Sequence, residues 1–175
     1  KNILIMGFGK VGKLIYKVLK VMDTNIYAMV KKNKKYNIKN IKFVHSANIH
    51  KFIKNIDYVI NLLPLTEETS KFININFFKK MKKSSYFISL GRGQTVEEKD
   101  LIFALENNLI LGAGIDVFEN EPLSMNSKLL KLKNVVLTPH IGNINQKYWK
   151  YEIDLFLNNL NRFFKKRKLK NIVKI

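Results

Sequence analysis

Arg92, Glu121 and His140 carry the side-chain types needed to reduce a carbonyl that sits beside a carboxylate. A guanidinium forks onto the carboxylate, a histidine gives a proton to the carbonyl oxygen, and a second carboxylate holds that histidine in its charged form. Each follows a short apolar run of strand type. Tyr86 to Leu90 leads into Gly91-Arg92-Gly93, Ile110 to Val117 into Glu119 and Glu121, and Val135 to Leu137 into Thr138-Pro139-His140. Helical segments separate these runs, so the pattern predicts successive parallel strands whose C-terminal ends share one edge. Ligands bind at that edge in open α/β sheets. Taken singly, an exposed arginine, two loop carboxylates and a loop histidine are ordinary surface features. Their joint placement, one per successive strand end, is what points to chemistry. His45 and His50 have no Cys, His or clustered carboxylate at ligand spacing, so no metal site is expected.

The groups need something to act with, and the start of the chain supplies it. Asn2 to Met6 is apolar and strand-like, Gly7-Phe8-Gly9-Lys10-Val11-Gly12 follows at once, and Val11, Leu14, Ile15, Val18, Leu19 and Met22 then recur at helical spacing. A strand-to-helix turn of this kind fits a dinucleotide. The first glycine permits the tight turn, the second lets the backbone approach a pyrophosphate, and the third lets helix and strand pack closely. Amide groups at the helix start then face the phosphates. Asn25 to Val30 reads as the second strand, after which NAD-specific folds place a carboxylate for the ribose hydroxyls. Here Lys31, Lys32, Asn33, Lys34 and Lys35 stand instead, which favours NADP, with NAD still possible. Leu63, Pro64 and Thr66 after a fourth strand, and Leu90 and Gly91 after the fifth, are expected to wall the cofactor groove.

The remaining elements position these groups. Strands are predicted at Ile41 to Ser46 and Asp57 to Leu63, a short helix over Ile49 to Ile56, and a helix capped by Thr66 with Glu67 and Glu68 in its first turn. A basic-faced helix is predicted over Ile75 to Lys83, and a capping box of Thr95 and Glu98 opens the helix that buries Leu101, Ile102 and Leu105. Ile153, Phe156, Leu157, Leu160, Phe163 and Phe164 mark one long amphipathic helix near the end, where Trp149 belongs to a core or an interface. The fold class is therefore α/β, a Rossmann-type doubly wound parallel sheet. Residues 1–145 form the dinucleotide-binding domain and 146–175 a C-terminal helix and tail.

With 175 residues and 46% hydrophobic content, the chain can bury one core. The formal net charge of +19 raises the question of polyanions, but only Arg92, Arg162 and Arg167 supply guanidinium and the lysines are spread along the whole chain. Nucleic acid is therefore not an expected partner, and neither is a membrane, since no apolar run approaches spanning length. There is no Cys, which removes disulfides and thiolate metal sites and is compatible with a cytoplasmic setting.

Together these blocks resemble the D-isomer-specific 2-hydroxyacid dehydrogenases. Gly-Phe-Gly-Lys-Val-Gly, Leu-Pro-Leu-Thr-Glu-Glu-Thr, Gly-Arg-Gly, Asp-Val-Phe-Glu-Asn-Glu-Pro and Thr-Pro-His-Ile-Gly occur in the family's order between Lys1 and about Val173. The resemblance implies that Arg92 is the substrate-carboxylate arginine, Glu121 the glutamate that orients the histidine, and His140 the acid/base. It implies that Asp116 meets the nicotinamide amide and that His140 and Gly142 border the cofactor. The missing acid after the second strand, together with Asn61-Leu62-Leu63-Pro64, is similar to the NADPH-using glyoxylate/hydroxypyruvate reductases. The implied substrate is a small 2-keto acid and the implied assembly a homodimer through the nucleotide-binding domain. Family members carry a substrate domain ahead of the glycine turn that this chain does not contain. Phosphoglycerate dehydrogenase, or a nucleotide-sensing module like the C-terminal-binding-protein corepressors, is the alternative.

Overall fold

In the computed structural model, residues 1–30, 38–142, 144 and 148–172 are described. They divide into two compact units, Lys1–His140 and Ile141–Ile175.

The first unit is built on seven strands: β1 (Asn2–Met6), β2 (Asn25–Val30), β3 (Lys42–His45), β4 (Tyr58–Asn61), β5 (Tyr86–Ser89), β6 (Gly112–Ile115) and β7 (Val135–Leu137). All neighbours pair in parallel, in the order β3-β2-β1-β4-β5-β6-β7. Strands β1 and β4 are apolar almost throughout, as strands buried on both faces must be. On one face Ile5, Phe8, Ile26, Ala28 and Val30 form a cluster against Ile15, Tyr16 and Leu19 of helix α1 (Lys10–Leu19). The other face holds the larger cluster, in which Phe77, Phe78 and Phe87 are fully buried beside Leu101 and Leu105 of helix α4 (Glu98–Glu106). The strand order reverses between β1 and β4, and the carboxyl ends on either side of that point carry the Gly7 turn and the Leu62-Leu63-Pro64 segment. A doubly wound sheet opens its ligand crevice there.

All seven expected strands are present, β6 being shorter than the apolar run around it. The helices differ more. Residues 67–71 form turns rather than a helix capped by Thr66, because the Thr69 hydroxyl donates to the Pro64 carbonyl and accepts from the Thr66 amide at 2.8 Å, tying the segment into a local loop. The basic-faced helix is only the single turn α3 (Ile75–Phe78), capped by the Asn74 side chain on the Asn76 amide and anchored by Asp100 on the Ile75 amide. Thr95 is not a helix cap. It is buried with its hydroxyl on the Arg92 carbonyl at 2.7 Å, and α4 starts after Glu97. The short helix near Ile49 is α2 (Ile49–Phe52), followed by a tighter turn over Ile53–Asn55.

The second unit is dominated by helix α5 (Tyr148–Phe164). Asn159 binds the Lys170 amide and carbonyl, folding the tail back along it. Trp149, Phe156, Phe163 and Phe164 are exposed, and no residue of α5 is buried.

Candidate active site

The glycine turn behaves as three different positions. Gly7 has φ +98°, and a Cβ there would sit 2.8 Å from the Leu62 carbonyl oxygen. At Gly12 a Cβ would sit 2.5 Å from the Gly7 oxygen, so helix and turn touch backbone to backbone. At Gly9 it would meet nothing within 4 Å. Gly9 also opens α1, and no side chain caps that helix start. A helix N-terminus without a side-chain cap, at a turn with open space above Gly9, fits a pyrophosphate group. Phe8 is buried against Tyr16 and Phe43, which leaves its backbone rather than its ring at the turn surface. Lys10 and Val11 form the first turn of α1, with Val11 exposed.

Two concavities continue from this turn and share Leu62, Leu63 and Pro64. One, of about 300 Å³, is bounded by Gly7, Gly9, Met29, Val30, Ser46 and Thr66. The other, of about 390 Å³, runs past Val11 and Leu90 to Gly91 and Arg92. Thr66 thus borders the first concavity, Leu90 and Gly91 the second, and Leu63 and Pro64 both. Gly91 is there because a Cβ would stand 2.6 Å from the Leu63 oxygen. Lys31 and Lys32 lie outside the described residues. Gly142 belongs to the second unit, where it is exposed.

His140 Nδ1 lies 2.7 Å from Glu121 Oε2. An ionised carboxylate only accepts, so Nδ1 carries the hydrogen and Nε2 is left for other partners. The other Glu121 oxygen accepts the Phe118 amide at 3.0 Å. The His140 bond, followed by the Phe118 amide and by the charges of His140 and Arg92, holds the Glu121 carboxyl below its ordinary value against the opposing effect of burial. Arg92 is exposed, its Nη1 donating to the Gly91 carbonyl, and its field reaches Glu121 without a direct bond. His140 adopts φ +54°, a left-handed conformation in which His is more common than most side chains. Glu121, Pro122, Leu123, Met125, Leu137 and His140 border an open, mostly apolar hollow of about 570 Å³.

Asp116 is buried at the end of β6, and its carboxylate accepts the Thr138 hydroxyl at 2.5 Å, joining the β6 and β7 ends that deliver Glu121 and His140. The Glu121 loop is held from behind as well. The Glu119 amide donates to Glu98, the Glu119 carbonyl accepts from Gln94, and the Glu119 carboxylate pairs with Lys71 at 3.5 Å. Burial raises the Glu98 carboxyl above its ordinary value, opposed by that amide bond. The sequence pattern marks Thr95 and Glu98 only as a capping box and Asn61 only as part of the Asn61-Leu62-Leu63-Pro64 run, and gives no sign of these supporting bonds or of the buried Ser89. An Asn within the apolar run Tyr58 to Leu63 was the available signal, since a buried amide must find partners. Among the described residues, no group of three or more His, Cys, Asp or Glu could hold a metal ion, and no helix is long and apolar enough to cross a membrane.

Fold and site together define a Rossmann-type α/β domain with a carboxylate–imidazole pair at the carboxyl edge of its sheet. More particularly, the chain belongs to the D-isomer specific 2-hydroxyacid dehydrogenases, residues 1–142 matching the family's NAD binding domain. It is 36% identical over 160 residues to a probable 2-ketogluconate reductase of Dictyostelium discoideum, covering 91% of this chain and 48% of that protein. It is 37% identical over 163 residues to a glyoxylate reductase of Pyrococcus furiosus, covering 93% and 48% respectively. A solved NADPH-dependent glyoxylate/hydroxypyruvate reductase of Sinorhizobium meliloti, in complex with NADP and sulfate, superposes with a TM-score of 0.88 at 28% identity, covering 99% of this chain and 55% of that one. The chain spans about half the length of the curated relatives it matches.

Proposed function

We propose that this chain is the nucleotide-binding half of an NADPH-dependent reductase of small 2-keto acids such as glyoxylate or hydroxypyruvate. The observation that carries the reading is the 2.7 Å Glu121–His140 pair, set on the same strand edge as the Gly7–Gly12 turn. The turn would hold the pyrophosphate, Leu63, Pro64, Thr66, Leu90 and Gly91 would wall the groove, and Asp116 would meet the nicotinamide amide. When bound, the nicotinamide supplies the hydride that the protein itself cannot. Arg92 binds the carboxylate of the keto acid and draws electron density from the neighbouring carbonyl. His140 gives its Nε2 proton to the carbonyl oxygen, and Glu121 fixes the tautomer and stabilises the imidazolium before transfer.

NADP is favoured over NAD because no acid follows β2, and solved relatives include complexes with NADP and with NADPH. A second copy of the chain is the proposed macromolecular partner, with α1 offering exposed Val11, Leu14 and Val18. A cytoplasmic setting completes the reading and is compatible with a sequence that has no Cys. Full-length protein assayed with NADPH and NADH against glyoxylate, hydroxypyruvate, pyruvate and phosphohydroxypyruvate tests the reading. Turnover of the first two with NADPH is expected. Preference for phosphohydroxypyruvate would move the assignment to phosphoglycerate dehydrogenase, and nucleotide binding without turnover of any of the four would favour a sensing module.

A further inference from the structure

We propose that Asn61 is a positioning residue that locks the Arg92 loop to the cofactor wall, so that one buried amide sets the registry between the two. The inference rests on the keto-acid reductase reading above and adds to it a residue that touches neither cofactor nor substrate.

Asn61 ends β4, beside the point where the strand order reverses, and is completely buried. Its Nδ2 donates to Thr95 Oγ1 at 2.9 Å and to Ser89 Oγ at 3.1 Å, while its Oδ1 accepts the Leu63 amide at 3.2 Å. Thr95 has one hydroxyl proton and gives it to the Arg92 carbonyl at 2.7 Å. Towards Asn61 Thr95 can therefore only accept, and the Leu63 amide can only donate. The amide orientation is fixed by chemistry: the NH₂ must face Thr95 and the oxygen must face Leu63. A flipped amide would oppose donor to donor on one side and acceptor to acceptor on the other. The Asn61 main chain joins in, its carbonyl accepting the Leu90 amide at 3.0 Å. The end of β4 at Leu63 and two points of the following strand's end, Ser89 and, through Thr95, the Arg92 turn, thus meet on one side chain. A satisfied buried network of this kind fixes geometry because every broken bond strands a polar group away from water.

Asn61→Asp tests this sharply. It keeps the shape and the acceptor for Leu63 but replaces the NH₂ by an oxygen facing Thr95, whose proton is committed to Arg92. Either Thr95 turns its hydroxyl away from the Arg92 carbonyl or the new carboxyl takes up a proton. In full-length protein, KM for the preferred keto acid should rise about fivefold or more, the scale of one net hydrogen bond, while the NADPH Kd measured by fluorescence titration stays within about twofold. In an Arg92→Ala background the same substitution should add nothing to KM. Thr95→Val should reproduce the KM effect and Thr95→Ser should restore it, which keeps the test informative if Asn61→Asp folds poorly. A lowered melting temperature with keto-acid KM unchanged in both Asn61→Asp and Thr95→Val would overturn the proposal and make the network purely structural. KM losses that multiply with Arg92→Ala would also overturn it. If unmodified protein binds NADPH but reduces none of the keto acids, the underlying reading falls and takes the proposal with it.

Discussion

Gly9 and Gly12 lie three residues apart on one turn, yet an added Cβ would meet open space at the first and the Gly7 oxygen at 2.5 Å at the second. The two glycines are therefore kept small for different reasons. Gly12 is closed in by the fold, whereas Gly9 leaves open the space that the proposed cofactor would use.

The contrast predicts opposite phenotypes. Gly12→Ala should lower stability by about 1 to 3 kcal/mol, the usual cost of overpacking against backbone. Gly9→Val should leave the melting temperature within a few degrees but weaken NADPH binding at least tenfold. Thermal denaturation and NADPH fluorescence titration of both variants separate the effects, and a Gly9→Val protein that binds NADPH normally would remove the turn from the cofactor site.

Glu98 makes a prediction in the other direction. Burial raises its carboxyl, so its charged form burdens the native state, and stability falls as pH rises from the ordinary carboxylate range through the raised native value. Glu98→Gln keeps an oxygen for the Glu119 amide and should be neutral or stabilising at pH 7. Glu98→Ala leaves that amide without its partner and should cost on the order of 1 kcal/mol. Urea titrations at pH 7 check both, and a Gln variant much less stable than the Ala variant would contradict the account.

The Glu121 carboxyl is lowered, chiefly by its bond to His140. Its contribution to stability is complete above the ordinary value of 4.5 and is lost as pH falls through the lower native value. Denaturant midpoints followed from pH 6 to pH 3 should therefore fall less steeply in Glu121→Gln than in the parent. Equal slopes would show that the pair contributes nothing to acid stability.

Much of this was legible in the residues. Apolar runs mark all seven strands, most clearly β1 and β4, whose residues are buried almost throughout, and less so the edge strands β3 and β7, which are largely half-buried or exposed. The glycine turn was legible from the strand before it and the helical period after it. A Thr close before an acidic residue looks alike in sequence whether it caps a helix or belongs to a short loop closed by its own hydroxyls, and here the local side chain–backbone bonds win: Thr69 on the Pro64 carbonyl in the first loop and Thr95 on the Arg92 carbonyl in the second. The Asn61 network was not legible, since a single amide in an apolar run reveals that it needs partners but not which ones. The Glu98 and Gln94 props behind Glu121 depend on a loop from β6 crossing the start of α4, which no local pattern encodes.

The proposed reaction turns above all on His140 as the proton donor held by Glu121. His140→Ala in full-length protein should reduce kcat with NADPH and the preferred keto acid by roughly a hundred- to ten-thousand-fold, the range of general acid catalysis, with the NADPH Kd within about threefold of the parent. A variant that keeps kcat within a few-fold, or that loses NADPH binding and turnover in equal measure, would contradict it.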